Sequence, residues 1–391
     1  MTRVGIVGSG IMGSGIAQVA ATHGCTVELA DATPDIVERA LAEIGKRLDR
    51  LVEKSQLTRT ARDDMRGRLL PATGPDSLAG CELVIEAVSE NLDVKTKVLR
   101  PIAAVAGTAT IFASNTSSLS ITQIGRAIGK ERRTVGMHFF NPAAVMPLVE
   151  VIAGADSDPA AVDRVAALAT SWGKTVVRAK DTPGFIVNRV ARGYYLEALR
   201  MLGEGIAGIE QIDRTMKQLG GFKLGPFELM DLVGIDVNYS VSSSVWEQLG
   251  RPARLTPHPI QADLLQRGQL GRKAKRGFYD YTKEPPLAVV APGQPSGGPT
   301  RNNAIGATVA TFVKAATSRT GTKLEQYIFA RILAAIINEA VQLLDEGVAT
   351  RQDIDTAMRL GTNYPHGPLE WADRIGLANC RATLAAVNAA V

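Results

Sequence analysis

The chain has 391 residues, of which 45% are hydrophobic and 21% charged, with a formal net charge of +5. This composition is that of a folded globular protein with room for two or three domains. The basic residues are scattered, which argues against nucleic acid and leaves a phosphate-bearing small molecule as the acidic ligand. We find no leader segment and no uninterrupted apolar span of about 20 residues, so we predict a cytoplasmic protein that does not bind membranes.

Metal binding is not predicted either. The three cysteines are odd in number and share no metal-ligand spacing, and no pair among the four histidines has such a spacing. Three unpaired cysteines also favour a reducing compartment.

Short apolar runs alternate with helical patterns from the N-terminus to about Lys180. This alternation is typical of a mostly parallel sheet covered by helices. A polar segment over 34–68 carries leucine and isoleucine at helical spacing and is predicted to be a helical arm. The predicted strands are Arg3–Val7, Thr26–Ala30, Glu82–Val88, Thr110–Ala113, Thr134–His138, Leu148–Ile152 and Thr175–Arg178.

A glycine-rich turn follows the first strand and opens a helix that runs to about His23. Its glycines allow a tight turn and a close approach of backbone to a pyrophosphate, which would lie at the helix N-terminus. Asp31 stands at the end of the second strand, where a carboxylate would accept hydrogen bonds from ribose hydroxyls and repel a 2′-phosphate. We predict a doubly wound parallel sheet of the Rossmann type that binds NAD; the alternative for Asp31 is a solvated strand end. The turn is Gly8-Ser9-Gly10-Ile11-Met12-Gly13.

Hydroxyl side chains cluster after the strand Thr110–Ala113, in the run Ser114-Asn115-Thr116-Ser117-Ser118-Leu119-Ser120. Ligands of open parallel sheets sit at the carboxyl ends of the strands, so these side chains are candidates for a reaction site. Capping of the helix that starts near Leu119 is the alternative.

A histidine and a carboxylate occupy two successive apolar runs of the sequence. Glu150 lies within Pro147-Leu148-Val149-Glu150-Val151-Ile152, where a carboxylate is costly to bury without a partner. If His138 is that partner, the pair is an imidazole held by a carboxylate, as general acid/base catalysis near neutral pH requires. A histidine packed in the core is the alternative.

The strand pattern disappears after Asp181-Thr182-Pro183-Gly184, and the pattern is helical from there to about Arg267. Residues 284–300 are rich in proline, glycine and serine and are predicted to be a linker.

The tail then repeats the middle of the chain at a constant offset, without gaps. We predict an NAD-binding domain (1–184), an all-α domain (185–283), the linker (284–300) and a second all-α domain (301–391) that is an internal repeat of the first. The matched residues are Glu197 with Glu339, Glu204 with Glu346, Gly205 with Gly347, Asp213 with Asp355, Met216 with Met358, Gly225-Pro226 with Gly367-Pro368, Glu228 with Glu370, Asp231 with Asp373, and Gly234 with Gly376.

Taken together, these residues resemble the 3-hydroxyacyl-CoA dehydrogenase family over essentially the whole chain. Members oxidise a 3-hydroxyacyl thioester with NAD in fatty-acid β-oxidation and related catabolism. The motifs that carry the resemblance are Gly8 to Gly13, Glu86-Ala87-Val88-Ser89-Glu90-Asn91, Ser114 to Leu119, His138-Phe139-Phe140-Asn141-Pro142, Asp181-Thr182-Pro183-Gly184-Phe185-Ile186-Val187-Asn188-Arg189, and Gly225-Pro226-Phe227-Glu228-Leu229.

The resemblance implies a role for each matching residue. His138 would be the catalytic base and Glu150 its orienting partner, and Ser117 and Asn188 would contact the reacting oxygen. Glu90, Lys95 and Asn141 would line the nicotinamide side of the cleft, with Lys273 reaching the cofactor from the helical domain. Lys54 on the arm is a looser match to a contact for the CoA phosphates, and a surface lysine without a role is the alternative.

The implied activity is NAD-dependent oxidation of (S)-3-hydroxyacyl-CoA, with 3-hydroxybutyryl-CoA or another short-chain thioester as substrate. The duplicated form resembles long bacterial members, including those of phenylacetate breakdown that act on 3-hydroxyadipyl-CoA. Two further hypotheses are a dehydrogenase of free hydroxy acids or sugar acids, and a binding protein without chemistry.

The second copy has Ala330 where the first has Asn188, so we expect one active site per chain. The chain would form a homodimer, or the tail would pack on the first helical copy as an intramolecular pseudo-dimer.

Overall fold

The computed structural model describes residues 2–289 and 303–388. The chain divides into two compact units, Met1–Phe185 and Ile186–Val391. Most of the predicted linker, residues 290–300, lies outside the described residues, whereas Leu287–Ala288 within it forms a short strand.

The first unit is built on one eight-stranded sheet with the order β3-β2-β1-β4-β5-β6-β7-β8. All seven predicted strands are present, and a short strand between residues 69 and 71 is added at one edge. Neighbouring strands are parallel except β6 and β7, which run antiparallel. The strands are β1 Arg3–Val7, β2 Thr26–Ala30, β3 Leu69–Pro71, β4 Leu83–Glu86, β5 Ile111–Ser114, β6 Thr134–Phe139, β7 Leu148–Ala153 and β8 Thr175–Lys180.

Helices cover both faces of this sheet, as predicted for a doubly wound fold. The apolar side chains of α1, α2 and α6 pack with one face, and those of α4 and α5 with the other. The order in which strands are added to the sheet reverses between β1 and β4, because β2 and β3 lie on one side of β1 and the later strands lie on the other. Open sheets of this kind bind ligands at that point. The helices are α1 Ile11–Thr22, α2 Pro34–Glu53, α3 Arg59–Gly67, α4 Leu92–Val105, α5 Ile121–Ile128 and α6 Pro159–Ser171.

The helical arm consists of α2 and α3 and is anchored to the sheet. Ile44 and Leu48 of α2 are buried in the same apolar cluster as β1 and β2. Burial of a side chain of this size stabilises a fold by about 1.5–3 kcal/mol. The apolar face of α2 therefore holds the arm against the domain.

The second unit is helical, apart from a two-stranded antiparallel ribbon of Tyr279–Asp280 (β9) and Leu287–Ala288 (β10). The helices of the first copy are α7 Val187–Val190, α8 Arg192–Gly203, α9 Ile209–Gln218, α10 Pro226–Val233, α11 Ile235–Gln248 and α12 Pro259–Gln266. Those that follow are α13 Asn303–Ala316, α14 Lys323–Asp345, α15 Arg351–Gly361, α16 Pro368–Ile375 and α17 Leu377–Asn388.

The two copies of the internal repeat have matching helices. Helices α9, α10 and α11 correspond to α15, α16 and α17, and a buried aspartate caps the same helix in each copy. Asp213 accepts a hydrogen bond from the Phe227 amide (2.9 Å), and Asp355 accepts one from the Leu369 amide (2.7 Å). In both copies, therefore, an aspartate caps the helix that begins at a Gly-Pro pair.

The two copies pack on each other through equivalent residues. Gly193 of α8 faces α14, where an added Cβ would lie 2.9 Å from the backbone of Ala335, which occupies the equivalent position in the second copy. The rings of Phe222 and Tyr364, another equivalent pair, contact each other at a centroid distance of 4.9 Å. Contacts between equivalent residues are those expected around a two-fold axis.

Helix α14 forms the core of the second unit. Within the described part of the chain it is the one helix long and apolar enough to cross a membrane, yet 67% of its most apolar window is buried inside the fold. This burial is typical of a core helix.

Candidate active site

The glycine turn forms an open cradle before α1. Gly8 has φ +98°, and an added Cβ would lie 2.7 Å from the backbone of Ala87, while a Cβ at Gly13 would collide with the carbonyl oxygen of Gly8. At Gly10 an added Cβ would meet nothing within 4 Å. The outer glycines are thus required by the turn itself, and the middle one leaves backbone open at a helix N-terminus, as a pyrophosphate requires. These residues fit a dinucleotide.

Asp31 stands beside this turn, at the end of β2. Its Oδ2 accepts hydrogen bonds from the amide (2.6 Å) and the hydroxyl (2.7 Å) of Ser9, and its Oδ1 accepts one from the amide of Ala32 (2.7 Å). Burial opposes ionisation of Asp31, but the hydrogen bonds from Ser9 and Ala32 outweigh it and lower the pKa of the carboxyl. An ionised carboxylate is therefore held at the position predicted for a ribose contact.

His138 and Glu150 are directly opposite each other on β6 and β7. His138 Nδ1 and Glu150 Oε2 are 2.6 Å apart, and both side chains are buried. The rings of Phe140 and Phe185 flank the imidazole at centroid distances of 4.6 and 6.0 Å. The predicted partnership of this histidine and carboxylate is present. Because the pair uses Nδ1, Nε2 is the ring nitrogen that can exchange a proton with a substrate.

Glu90 organises the hydroxyl-rich loop after β5. Its Oε1 accepts hydrogen bonds from the amides of Ser117 (2.8 Å) and Ser118 (3.0 Å) and from the hydroxyls of Thr116 (2.7 Å) and Ser117 (3.1 Å). Burial opposes ionisation of Glu90, but the charge of Lys95 and these donors together lower its pKa. Two residues predicted separately, Glu90 and Ser117, are therefore in direct contact.

Lys95 lies beneath Glu90 rather than at the surface. Its side chain is 1% exposed, and its Nζ is 2.7 Å from Glu86 Oε1 and 3.3 Å from Glu90 Oε2. Burial raises the pKa of Glu86, against the charge of Lys95 and hydrogen bonds from Ser114 and Val88. Lys95 therefore pairs with both carboxylates, and its charge favours their ionised forms. Glu86, the last residue of β4, is a member of this cluster to which the sequence analysis gave no role.

Further residues brace the strand of His138. The side chain of Asn115 accepts a hydrogen bond from the amide of Phe139 (2.8 Å) and so joins the hydroxyl loop to β6. Lys174, which is buried, donates to the carbonyls of Ala143 (2.7 Å) and Met146 (2.9 Å) in the loop between β6 and β7. Lys174 was not predicted as a site residue, although a lysine that directly precedes an apolar strand is a signal for a buried polar contact.

The motif Asp181-Thr182-Pro183-Gly184 has a structural explanation. Asp181 accepts hydrogen bonds from the amides of Ile121 (2.9 Å) and Thr122 (2.8 Å) and from the hydroxyl of Ser120 (2.7 Å), and so caps α5. It fixes the far end of the loop that carries Ser117.

The remaining predicted residues lie on other elements of the chain. Asn141 is exposed in the loop after β6, and Lys54 is exposed at the end of α2. Asn188 and Lys273 belong to the second unit. Asn188 lies in α7, and Lys273 Nζ pairs with both carboxylate oxygens of Asp236 at 2.6 Å.

Comparison with known proteins gives consistent matches. Residues 3–182 match the family model described as 3-hydroxyacyl-CoA dehydrogenase, NAD binding domain. Residues 184–281 and 327–391 both match the one described as 3-hydroxyacyl-CoA dehydrogenase, C-terminal domain. The second match covers both helical copies, in agreement with the internal repeat.

Individual relatives carry two substrate names. The chain is 39% identical to the 3-hydroxyadipyl-CoA dehydrogenase of Escherichia coli K12, over 95% of this chain and 90% of the relative. It is 38% identical to a 3-hydroxybutyryl-CoA dehydrogenase of Bradyrhizobium diazoefficiens, over 73% of this chain and 97% of the relative. A crystal structure of 3-hydroxybutyryl-CoA dehydrogenase from Escherichia coli K12 superimposes with a TM-score of 0.86 at 36% identity, covering 99% of this chain and 94% of that one.

Proposed function

The chain belongs to the 3-hydroxyacyl-CoA dehydrogenase family, and on that premise we propose that it oxidises an (S)-3-hydroxyacyl-CoA to the 3-oxoacyl-CoA with NAD. The observation that carries the proposal is the buried His138–Glu150 pair, with 2.6 Å between Nδ1 and Oε2, in the unit that holds the glycine turn. A short-chain thioester such as 3-hydroxybutyryl-CoA is the leading substrate, and 3-hydroxyadipyl-CoA is the alternative.

In this proposal the first unit holds the dinucleotide. The backbone of the turn from Gly8 to Gly13 and the N-terminus of α1 bind the pyrophosphate, and Asp31 accepts from the ribose hydroxyls. Glu90, Asn141 and Lys273 contact the nicotinamide half, and Lys95 acts through Glu90. When bound, NAD supplies the acceptor for the hydride that leaves C3 of the substrate.

His138 removes the proton of the C3 hydroxyl at Nε2. Glu150 accepts the hydrogen of Nδ1–H, which keeps Nε2 unprotonated before the reaction and stabilises the imidazolium after it. In the reverse direction the protonated His138 donates to the ketone oxygen. Because the pair is buried, water screens the interaction between the carboxylate and the ring only weakly.

Ser117 and Asn188 donate hydrogen bonds to the substrate oxygen. A well-placed donor of this kind contributes on the order of 2–4 kcal/mol to transition-state stabilisation. The hydroxyl of Ser117 also donates to Glu90 at 3.1 Å, so a substrate oxygen would compete with Glu90 for that hydrogen bond. The amide of Ser117 stays with Glu90 and keeps the loop in place.

The coenzyme A part of the substrate would bind to basic residues of the chain. Its phosphates would meet Lys54, which is exposed at the end of α2, and the positive net charge of the chain favours such an anionic ligand. We also propose a cytoplasmic location, which suits a chain whose relatives are named as dehydrogenases of acyl-CoA thioesters.

We further propose the domain organisation 1–184, 185–283, 284–300 and 301–391, with one active site per chain. The two helical copies would form an intramolecular pseudo-dimer, so that the chain is a monomer in solution. The paired contacts of Gly193 with Ala335 and of Phe222 with Tyr364 support this arrangement. Light scattering of the full chain tests it: a monomeric mass is expected, and a stable dimer would contradict it.

The substrate is tested by following NADH absorbance with acetoacetyl-CoA, 3-ketoadipyl-CoA and free acetoacetate in parallel. We expect turnover of at least one thioester and none of the free acid. The ratio of kcat/KM for the two thioesters decides between the two substrates. Turnover of free acetoacetate without the thioesters would reject the proposal in favour of a hydroxy-acid dehydrogenase.

A further inference from the structure

Arg192 of α8 is a buried cation whose hydrogen bonds, within the described part of the chain, all go to neutral groups. It is 3% exposed. Its Nε donates to the carbonyl of Asn188 (2.8 Å), and its Nη1 donates to the hydroxyl of Ser242 (2.7 Å) and the carbonyl of Asn238 (3.2 Å). The guanidinium also lies 5.0 Å from the ring centre of Tyr195. Burying a charge without a carboxylate partner is unfavourable, so Arg192 is not explained by a gain in stability.

The partners of Arg192 are themselves buried and hydrogen-bonded. The Ser242 hydroxyl donates to the carbonyl of Asn238 (2.9 Å), and Gln261 Nε2 donates to Asn238 Oδ1 (2.8 Å). Arg192 thus connects α7, the four-residue helix that carries Asn188, to α11 and through it to α12. Because α7 is one turn long and is joined to α8 through Ala191, contacts of this kind fix the angle at which it leaves α8.

The second helical copy serves as an internal control. Four polar members of this set are replaced by apolar or weakly polar residues at the equivalent positions, as Asn188, Arg192, Asn238 and Ser242 become Ala330, Ala334, Cys380 and Leu384. The same copy keeps the aspartate that caps α16 and the ion-pairing arginine Arg331. The helices that the two copies share are therefore built without the Arg192 network. What the network accompanies is Asn188.

We infer that Arg192 is a positioning residue that fixes the helical turn of Asn188 through its backbone carbonyl and so aims the Asn188 side chain at the reacting oxygen. This inference rests on the proposed function, in which Asn188 donates to that oxygen. Ser242 and Asn238 hold the guanidinium in the orientation that this contact requires.

A double-mutant cycle tests the inference. R192A introduces the residue of the second copy, N188A removes the donor, and R192A/N188A combines them. We expect R192A to lower kcat by about tenfold or more, as displacement of a positioned group does, with KM for the thioester and the Kd for NADH changed by less than about threefold. In the N188A background, R192A is expected to cause no further loss of kcat.

S242A provides a milder version of the same test, because it removes one partner of the guanidinium and leaves the charge in place. We expect S242A to lower kcat when Asn188 is present and to leave kcat unchanged in the N188A background. Circular dichroism and NADH fluorescence confirm that each variant is folded and binds the cofactor.

An unchanged kcat in R192A, or an equal loss with and without Asn188, would overturn the inference. An N188A variant with full activity would overturn it too. Failure of the proposed function has a different signature, because the parent protein would then turn over neither thioester.

Discussion

Arg189 and Arg331, which occupy equivalent positions in the two helical copies, make the same ion pair in opposite directions, and each guanidinium is buried. Arg189 of the first copy binds Glu346 of the second with two hydrogen bonds of 2.5 and 2.6 Å. Arg331 binds Glu204, the equivalent of Glu346, with hydrogen bonds of 2.6 and 2.9 Å. Because each arginine crosses to the other copy, the stability of the second unit depends on both copies being present.

Removal of one of these arginines is expected to be costly. In R331A, Glu204 loses a bidentate partner and Glu197 loses a hydrogen bond of 2.8 Å. Breaking a buried ion pair leaves a carboxylate uncompensated, and we expect the free energy of unfolding in urea to fall by about 2–3 kcal/mol. The control is R178A, which breaks an exposed pair with Asp163 and should change the free energy by less than about 0.5 kcal/mol. Equal effects of the two variants would refute the structural role of the crossed pairs.

Cofactor selectivity is expected to depend on Asp31. D31A removes a carboxylate that Ser9 and Ala32 hold in the ionised form, and with it the proposed acceptor for the ribose hydroxyls. Loss of charged hydrogen bonds of about 1.5–3 kcal/mol should weaken the binding of NADH about 10- to 100-fold, while the Kd for NADPH improves or stays constant. Fluorescence titration with both nucleotides measures this, with D63A, an exposed aspartate on α3, as the control. A D31A variant that keeps its preference for NADH would remove Asp31 from the ribose site.

Exchange of Glu150 for glutamine tests how the imidazole is held. A glutamine amide can donate to Nδ1 of His138, which places the ring proton on Nε2, where it blocks the base. We expect kcat of E150Q to fall by about 10² or more, with an unchanged Kd for NADH. E43Q, at an exposed glutamate of α2, should keep full activity. Activity of E150Q within about threefold of the parent protein would show that the carboxylate does not set the tautomer.

Asp213 is expected to make stability depend on pH. Burial raises its pKa to about 7, against the hydrogen bonds from Phe227 and Tyr279. Because this pKa is higher in the folded than in the unfolded state, the stabilisation is complete below about pH 4 and is lost as the pH rises through 7. The contribution to the free energy of unfolding falls by at most about 1.4 kcal/mol per pH unit in this window.

The variant D213N removes this titration and keeps an oxygen acceptor for the helix cap. Urea unfolding between pH 4 and 8 should therefore give a flatter profile for D213N than for the parent protein. D163N, at an exposed aspartate, should follow the parent protein. Parallel profiles for D213N and the parent would show that Asp213 does not titrate in this range.

Features that depend on local pattern or on a pairing requirement could be predicted from the sequence. The glycine turn follows from its spacing, and the contact of His138 with Glu150 follows from the cost of burying an unpaired carboxylate. The repeat is visible because equivalent residues keep a constant offset. Strand β3, in contrast, is only three residues long and ends in proline, so it leaves no periodic signal.

Features that depend on which elements become neighbours in space were missed. The reversal of β7 against β6 is an example, although the short connection over 140–147 was a usable signal, because a parallel crossover needs a dozen or more residues. The contact of Glu90 with Ser117 joins two separate loops, and no pattern in either loop indicates it. The Arg192 network could have been found by comparing the two helical copies position by position.

His138 is the proposed base that acts on the 3-hydroxyacyl thioester. Its role is measured by kcat of H138A with NADH and the better of the two ketoacyl thioesters, beside the Kd for NADH of the same variant. We expect kcat to fall by about 10²- to 10⁴-fold, because the proton is then exchanged only with water, and the Kd to stay unchanged. An H138A variant that retains more than about a tenth of the parent kcat would contradict it.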